Sequence, residues 1–113
     1  MVIDFARSER STLGLEWELA LVDQQTGDLV GAAPELLAAV ARDHERLAGR
    51  ITSELLTNTV EVVSGVNRTV GEGVADLTHT IEAVTEEAEA RGFEVICSGT
   101  HPFAHWSEQQ VTA

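Results

Sequence analysis

Ten residues near the start of the chain alternate without a break. Leu13, Leu15, Trp17, Leu19 and Leu21 fall on one side of an extended backbone, and Gly14, Glu16, Glu18, Ala20 and Val22 on the other. Successive side chains of a strand point to opposite faces, so this period of two predicts a β-strand whose apolar face lies against a core. A helix would scatter both sets around its circumference. The strand therefore sets a requirement: other segments must supply an apolar layer for its Leu and Trp face.

The remaining patterns supply that layer. Asp23-Gln24-Gln25-Thr26-Gly27-Asp28 reads as a turn, and Leu29-Val30 as the start of a short return strand. Pro34 suits the first turn of a helix, and Leu36, Leu37, Val40, Ala41, His44 and Leu47 follow at helical spacing up to Gly49. Residues 51–63 read as extended and end in the β-rich run Thr59-Val60-Glu61-Val62-Val63. The strongest helical signal opens with Thr69 and Glu72 as a capping box. Val70, Val74, Leu77, Ile81, Val84 and Ala88 step along one face and Gly92 stops it. Asp76, Glu82, Glu86, Glu87 and Glu89 read as its solvated face. Phe93–Thr100 reads as a last strand, and residues 1–10 as a weakly patterned leader. This order predicts an α+β fold, a mainly antiparallel sheet with helices on one face, in a single domain over residues 1–113.

Composition narrows the partners. Seven basic against nineteen acidic residues give a formal net charge of −12, a field that repels phosphate backbones and anionic lipid. Neither nucleic acid nor a membrane surface is expected as a partner. With two Trp, three Phe and no Tyr, the core has to be aliphatic. Cys97 is the only cysteine, which excludes an internal disulfide and fits a reducing compartment. No stretch approaches the roughly 18 consecutive apolar residues of a membrane span, and a cytoplasmic location is expected.

Three segments could carry chemistry. In Gly14-Leu15-Glu16-Trp17-Glu18 the two carboxylates, at i and i+2 of a strand, project from one face about 7 Å apart. Spacing alone leaves two readings open: a polar face turned to water, which is the commoner case, or a pair that collects a divalent cation. In the segment from Glu54 to Glu61, Glu61 interrupts an apolar β-run. In one flat strand Glu54 and Glu61 face opposite ways, so a bend or bulge would be needed to bring them together. The third segment, Ser98-Gly99-Thr100-His101-Pro102-Phe103, places small and polar residues at a strand end where a ligand can approach. Cys97, His101 and His105 have the spacing of zinc ligands only on a helix, which Pro102 opposes.

In combination these segments resemble the type-2 glutamate–cysteine ligases, also called carboxylate–amine ligases. The similarity rests on Thr12-Leu13-Gly14-Leu15-Glu16-Trp17-Glu18-Leu19, on Glu54-Leu55-Leu56 through Val60-Glu61-Val62, and on Gly99-Thr100-His101-Pro102-Phe103-Ala104-His105-Trp106. It implies a partial glutamine-synthetase-like catalytic fold whose antiparallel sheet floors an ATP and metal site. ATP would phosphorylate the γ-carboxylate of glutamate, and the amine of cysteine, or of another acceptor, would displace phosphate. Glu16 and Glu18 would hold Mg²⁺ ions that bridge the nucleotide phosphates. Glu61 and Glu54 would add metal or substrate contacts, and His101 would be a catalytic residue near the phosphates or the glutamate. Members of that family are considerably longer, so residues 1–113 would be the amino-terminal portion of a ligase catalytic domain. The competing expectation is a non-catalytic acidic α+β module that self-associates through an open sheet edge.

Overall fold

The computed structural model describes residues 10–113, so the leader expected over residues 1–10 lies almost wholly outside the described residues. Four strands form one antiparallel sheet: β1 (Glu16–Asp23), β2 (Ile51–Ser53), β3 (Thr59–Val63) and β4 (Phe93–Ile96), in the order β2-β3-β1-β4. Two helices, α1 (Ala33–Asp43) and α2 (Val70–Glu89), accompany them, with short 3₁₀ turns at Glu45–Leu47 and Trp106–Glu108. The α+β class, the antiparallel sheet and the helices on one face are as the order of elements predicts.

The core follows from the register. Leu19 pairs with Val60, Trp17 and Ile51 pair with Val62, and paired residues of adjacent strands project to the same face. That face gathers Leu19, Leu21, Ile51, Val60 and Val62 against Leu36 and Val40 of α1 and Leu77, Val84 and Ala88 of α2. Both helices thus cover one side of the sheet, and the side bearing Glu16, Glu18 and Glu61 is left open. The core is aliphatic throughout.

Several expectations shift. β1 starts at Glu16 rather than Leu13, because Ser64 interrupts the ladder: its hydroxyl accepts from the Leu15 amide at 2.8 Å. Trp17 faces the core side yet is 44% exposed, because β4 pairs with β1 only from Ala20 onward and leaves the edge of β1 away from β3 uncovered at Trp17. The return strand reduces to a single bridge, Val22 to Leu29. α1 stops at Asp43, and His44 turns out of the helix into the 3₁₀ turn. The stretch 51–63 is a β2–β3 hairpin rather than one strand, and the strand expected over 93–100 ends at Ile96.

The long helix α2 starts as predicted, with the Thr69 side chain accepting from the Glu72 amide at 3.1 Å. Its buried face is rotated from the expected one. Gly73, Leu77, Thr80, Val84, Glu87 and Ala88 point inward, and Val70 and Val74 are exposed. Gly73 allows the rotation, since a Cβ there would lie 2.8 Å from Leu15 Cδ1. Glu87 is not solvated: it is buried, accepting from Arg91 at 2.6 Å and paired with His44 at 3.1 Å across to the end of α1. Asp76, also read as solvated, is half-buried and pairs with Arg50 at 3.3 Å.

Candidate metal centre

The strand register places the carboxylates. Glu18 of β1 stands directly opposite Glu61 of β3, so both side chains rise from the open face of the sheet. Glu16, two residues earlier on β1, shares that face. Glu54 arrives by a different route. Thr52 of β2 pairs with Glu61, and Glu54 lies two residues beyond Thr52 as the chain enters the β2–β3 turn. The hairpin thereby resolves the parity conflict that a single strand would impose on Glu54 and Glu61.

One carboxylate oxygen from each of Glu18, Glu54 and Glu61 lies within 4.8 Å of the other two. Glu16 stands outside this three-oxygen group but belongs to the same field. Glu61 registers the crowding: partial burial raises its carboxyl above the ordinary value, and the charges of Glu16, Glu54 and Glu18 add to the rise in that order. Among the described residues none of the four carboxylates forms a salt bridge. The cluster opens into a cleft of about 590 Å³, floored by Glu16, Glu18, Ala20, Thr59 and Glu61 and rimmed by Leu56 and by Cys97, Ser98 and Gly99. Among the described residues no Arg or Lys lines it.

Such a donor set suits a hard divalent cation. All three converging atoms are carboxylate oxygens, which Mg²⁺, Mn²⁺ and Ca²⁺ prefer and which zinc sites rarely use alone. Like charges held this close, with no salt bridge among the described residues, are an arrangement that a bound ion would relieve. The residues therefore fit the Mg²⁺ that the sequence resemblance implies.

His101 is placed elsewhere. Its Nε2 lies 2.8 Å from the carbonyl oxygen of Gly27, in the turn after β1, and its Nδ1 accepts from the Ala104 amide at 3.1 Å. An accepting Nδ1 leaves the proton on Nε2, which donates to Gly27. Phe103 stacks edge-on against the ring at 4.4 Å. His101 does not line the cleft. Cys97 does, and its Sγ accepts from the Trp17 indole N–H at 2.9 Å. Among the described residues Cys97, His101 and His105 do not gather into a metal-ligand group.

Sequence reasoning did not find the segment Gln109–Thr112, which lies along the β2–β3 turn and bonds to it. Only the turn-forming Asn58 signalled that the chain reverses between Glu54 and Glu61.

The family model described as glutamate–cysteine ligase family 2 matches residues 12–113. This chain belongs to that family. It is 53% identical, over 97% of its length, to a provisionally named glutamate–cysteine ligase 2 of Leifsonia xyli subsp. xyli. It is 51% identical, over 99% of its length, to a provisionally named glutamate–cysteine ligase 2-2 of Rhodococcus jostii, and 47% identical to a counterpart from Clavibacter sepedonicus. The alignments cover 29% and 30% of the first two relatives, so the chain spans about three-tenths of their length. Glu16, Glu18, Glu54 and Glu61 all fall within the part that matches the glutamate–cysteine ligase family. No helix among the described residues is long and apolar enough to cross a membrane.

Proposed function

We propose that this chain carries the metal and nucleotide face of an ATP-dependent carboxylate–amine ligase that joins glutamate to cysteine through the γ-carboxylate. The observation that carries the reading is the convergence of Glu18, Glu54 and Glu61 on the open face of a sheet, in a chain that belongs to the ligase family. Phosphoryl transfer needs positioning and charge neutralisation more than covalent chemistry from the protein. A cleft whose charged groups, among the described residues, are all carboxylates repels ATP until a cation intervenes.

In this reading Glu18, Glu54 and Glu61 hold a Mg²⁺ ion, and Glu16 contributes from the same face. When bound, the ion neutralises the nucleotide phosphates and the charge that develops between them. An oxygen of the glutamate γ-carboxylate attacks the γ-phosphorus of ATP, forming an acyl phosphate and releasing ADP. The amine nitrogen then attacks the acyl carbon, phosphate leaves, and the amide forms as the nitrogen loses a proton. The chain's own part is to shape the site. β1 and β3 hold two carboxylates in register on a buried aliphatic layer. The open rim at Ser98 and Gly99, where a Cβ on Gly99 would meet nothing within 4 Å, lets a ligand come close to backbone. His101 keeps the segment after β4 folded onto the turn after β1.

The test is ADP release with Mg²⁺, ATP, glutamate and cysteine, each omitted in turn, with Glu18→Gln as the control and circular dichroism to report folding. Turnover that needs both amino acids and falls at least a hundredfold in the variant is the expected result for the ligase. ADP release that ignores glutamate, or that survives Glu18→Gln unchanged, would count against it.

A further inference from the structure

The turn that carries Glu54 has one backbone bond of its own, from the Thr59 amide to the Leu56 carbonyl at 3.2 Å, beyond the reach of Glu54. Three parts of the molecule grip it. From α1, the Ala33 amide donates to the Thr57 carbonyl at 2.8 Å, and from β1 the Leu21 amide donates to the Asn58 carbonyl at 2.9 Å. The third grip comes from the far end of the sequence. The Thr57 amide donates to the Gln110 carbonyl at 2.9 Å, and the Thr112 amide donates to the Leu55 carbonyl at 2.9 Å, so that Leu56 and Val111 form an antiparallel bridge. Two side chains extend this zipper. Asn58, which is buried, donates from its amide to Gln109 Oε1, and the Thr112 hydroxyl donates to the backbone carbonyl of Glu54 at 2.7 Å.

The last of these bonds falls on the residue whose side chain joins Glu18 and Glu61. The other two carboxylates stand on paired strands, where the ladder fixes them. Glu54 lies beyond the end of β2, in a half-buried turn with no ladder of its own. Its own amide neighbour, the Leu55 N–H, reaches the Glu54 carboxylate only at 3.3 Å. The backbone of Glu54 is therefore held at its carbonyl by Thr112, and a shift of about 1 Å there is enough to take one ligand out of a three-oxygen site.

We infer that Thr112, through the segment Gln109–Thr112, is a positioning residue that sets Glu54 in the cation site, so that the affinity for a divalent ion depends on a hydrogen bond made 58 residues away from the ligand it orients. The inference rests on the metal reading proposed above. It assigns Thr112 no contact with metal, nucleotide or substrate. Its hydroxyl acts on the Glu54 backbone alone.

Mn²⁺ is the probe, because its spectrum reports free and bound ion directly and its oxygen preference resembles that of Mg²⁺. Mn²⁺ binding to the 113-residue chain is followed by electron paramagnetic resonance for the wild type, Thr112→Val, Thr112→Ser and Glu54→Gln, and for Glu54→Gln combined with Thr112→Val. Thr112→Val keeps the shape and removes the hydroxyl. The expected result is a Kd weakened about fivefold, the size of one hydrogen bond, with Thr112→Ser restoring it. In the Glu54→Gln background, Thr112→Val should change the Kd no further, because the residue it positions no longer offers a carboxylate. An unchanged Kd in Thr112→Val, or an equal fall in both backgrounds, overturns the positioning role and leaves the metal reading standing. A folded wild type that takes up no Mn²⁺ overturns the metal reading and the inference with it. A general loss of structure is told apart by the melting temperature, which a purely structural role would lower without the dependence on Glu54.

Discussion

Glu61 bears a charge in a β-run that is otherwise Thr and Val, on a strand whose neighbours at Val60 and Val62 are fully buried. Burial raises its carboxyl, and Glu16, Glu54 and Glu18 raise it further. The folded protein therefore holds a proton on Glu61 more tightly than the unfolded chain does. Stability from that proton is complete below the ordinary carboxylate value of 4.5 and is lost as pH rises through the raised folded value. Without divalent ions, Glu61→Gln should therefore melt at a higher temperature than the wild type at pH 7 and lose that advantage near pH 4. Paired thermal melts across this range, in a chelating buffer, check it. A variant less stable than the wild type at pH 7 would mean that the cluster is already satisfied by the protein. Asp23 shows the opposite sign: the amides of Thr26 and Gln25 donate to it and hold its carboxyl below the usual range. That carboxylate fixes the turn against which His101 rests, so Asp23→Ala should loosen the turn after β1 first, seen as faster amide exchange at residues 24–28.

At the scale of elements, what could be read in the sequence depended on whether one segment carried the signal alone. β1 was legible because its alternation is local, and the start of α2 because the Thr69 side chain accepts from the Glu72 amide within one turn, although the Glu72 carboxylate accepts from the Arg68 amide and not from Thr69. The face that α2 buries was not, since the Val70 and Val74 stripe is displaced by contacts that involve Gly73 and Leu15, 58 residues apart in sequence. Of the candidate site, the Glu16 and Glu18 pair and the interruption at Glu61 could be seen in strand parity. The arrival of Glu54 could not, because it depends on a hairpin turn stabilised by residues 109–112. Glu87 illustrates the same limit: an acidic residue among Glu82, Glu86 and Glu89 looks solvated until α1 delivers His44 and the last turn delivers Arg91. Glu87→Ala leaves Arg91 without its near partner in a half-buried position between the two helices. It should cost about 3 kcal/mol of stability, measured by urea unfolding, whereas Glu86→Ala on the exposed face should change it by less than about 0.5 kcal/mol. Equal effects from the two would place both carboxylates in water.

The whole molecule carries a net charge of −12, and its most crowded carboxylates face outward from the sheet rather than toward the helices. Any cation screens such a field, so stabilisation by salt alone says little about the cleft. The distinction lies in concentration and in valence. A site that takes one Mg²⁺ stabilises the folded state as RT ln(1 + [Mg²⁺]/Kd), about 2.7 kcal/mol at a hundred times the Kd, and continues to rise logarithmically. Screening saturates once the Debye length falls to about 10 Å, near 0.1 M monovalent salt. In 0.15 M NaCl, millimolar Mg²⁺ should therefore raise the melting temperature further, by roughly 4 °C for each kcal/mol in a chain of this size. The same addition should do nothing for a variant carrying both Glu18→Gln and Glu61→Gln. Because that variant also relieves the repulsion within the cluster, its melting temperature in NaCl alone should lie above that of the wild type. The two curves should then converge or cross as Mg²⁺ is added. Parallel curves would mean that the ion acts on the general surface charge, and the carboxylates of β1, β3 and the turn between β2 and β3 would then be a polar face that meets water.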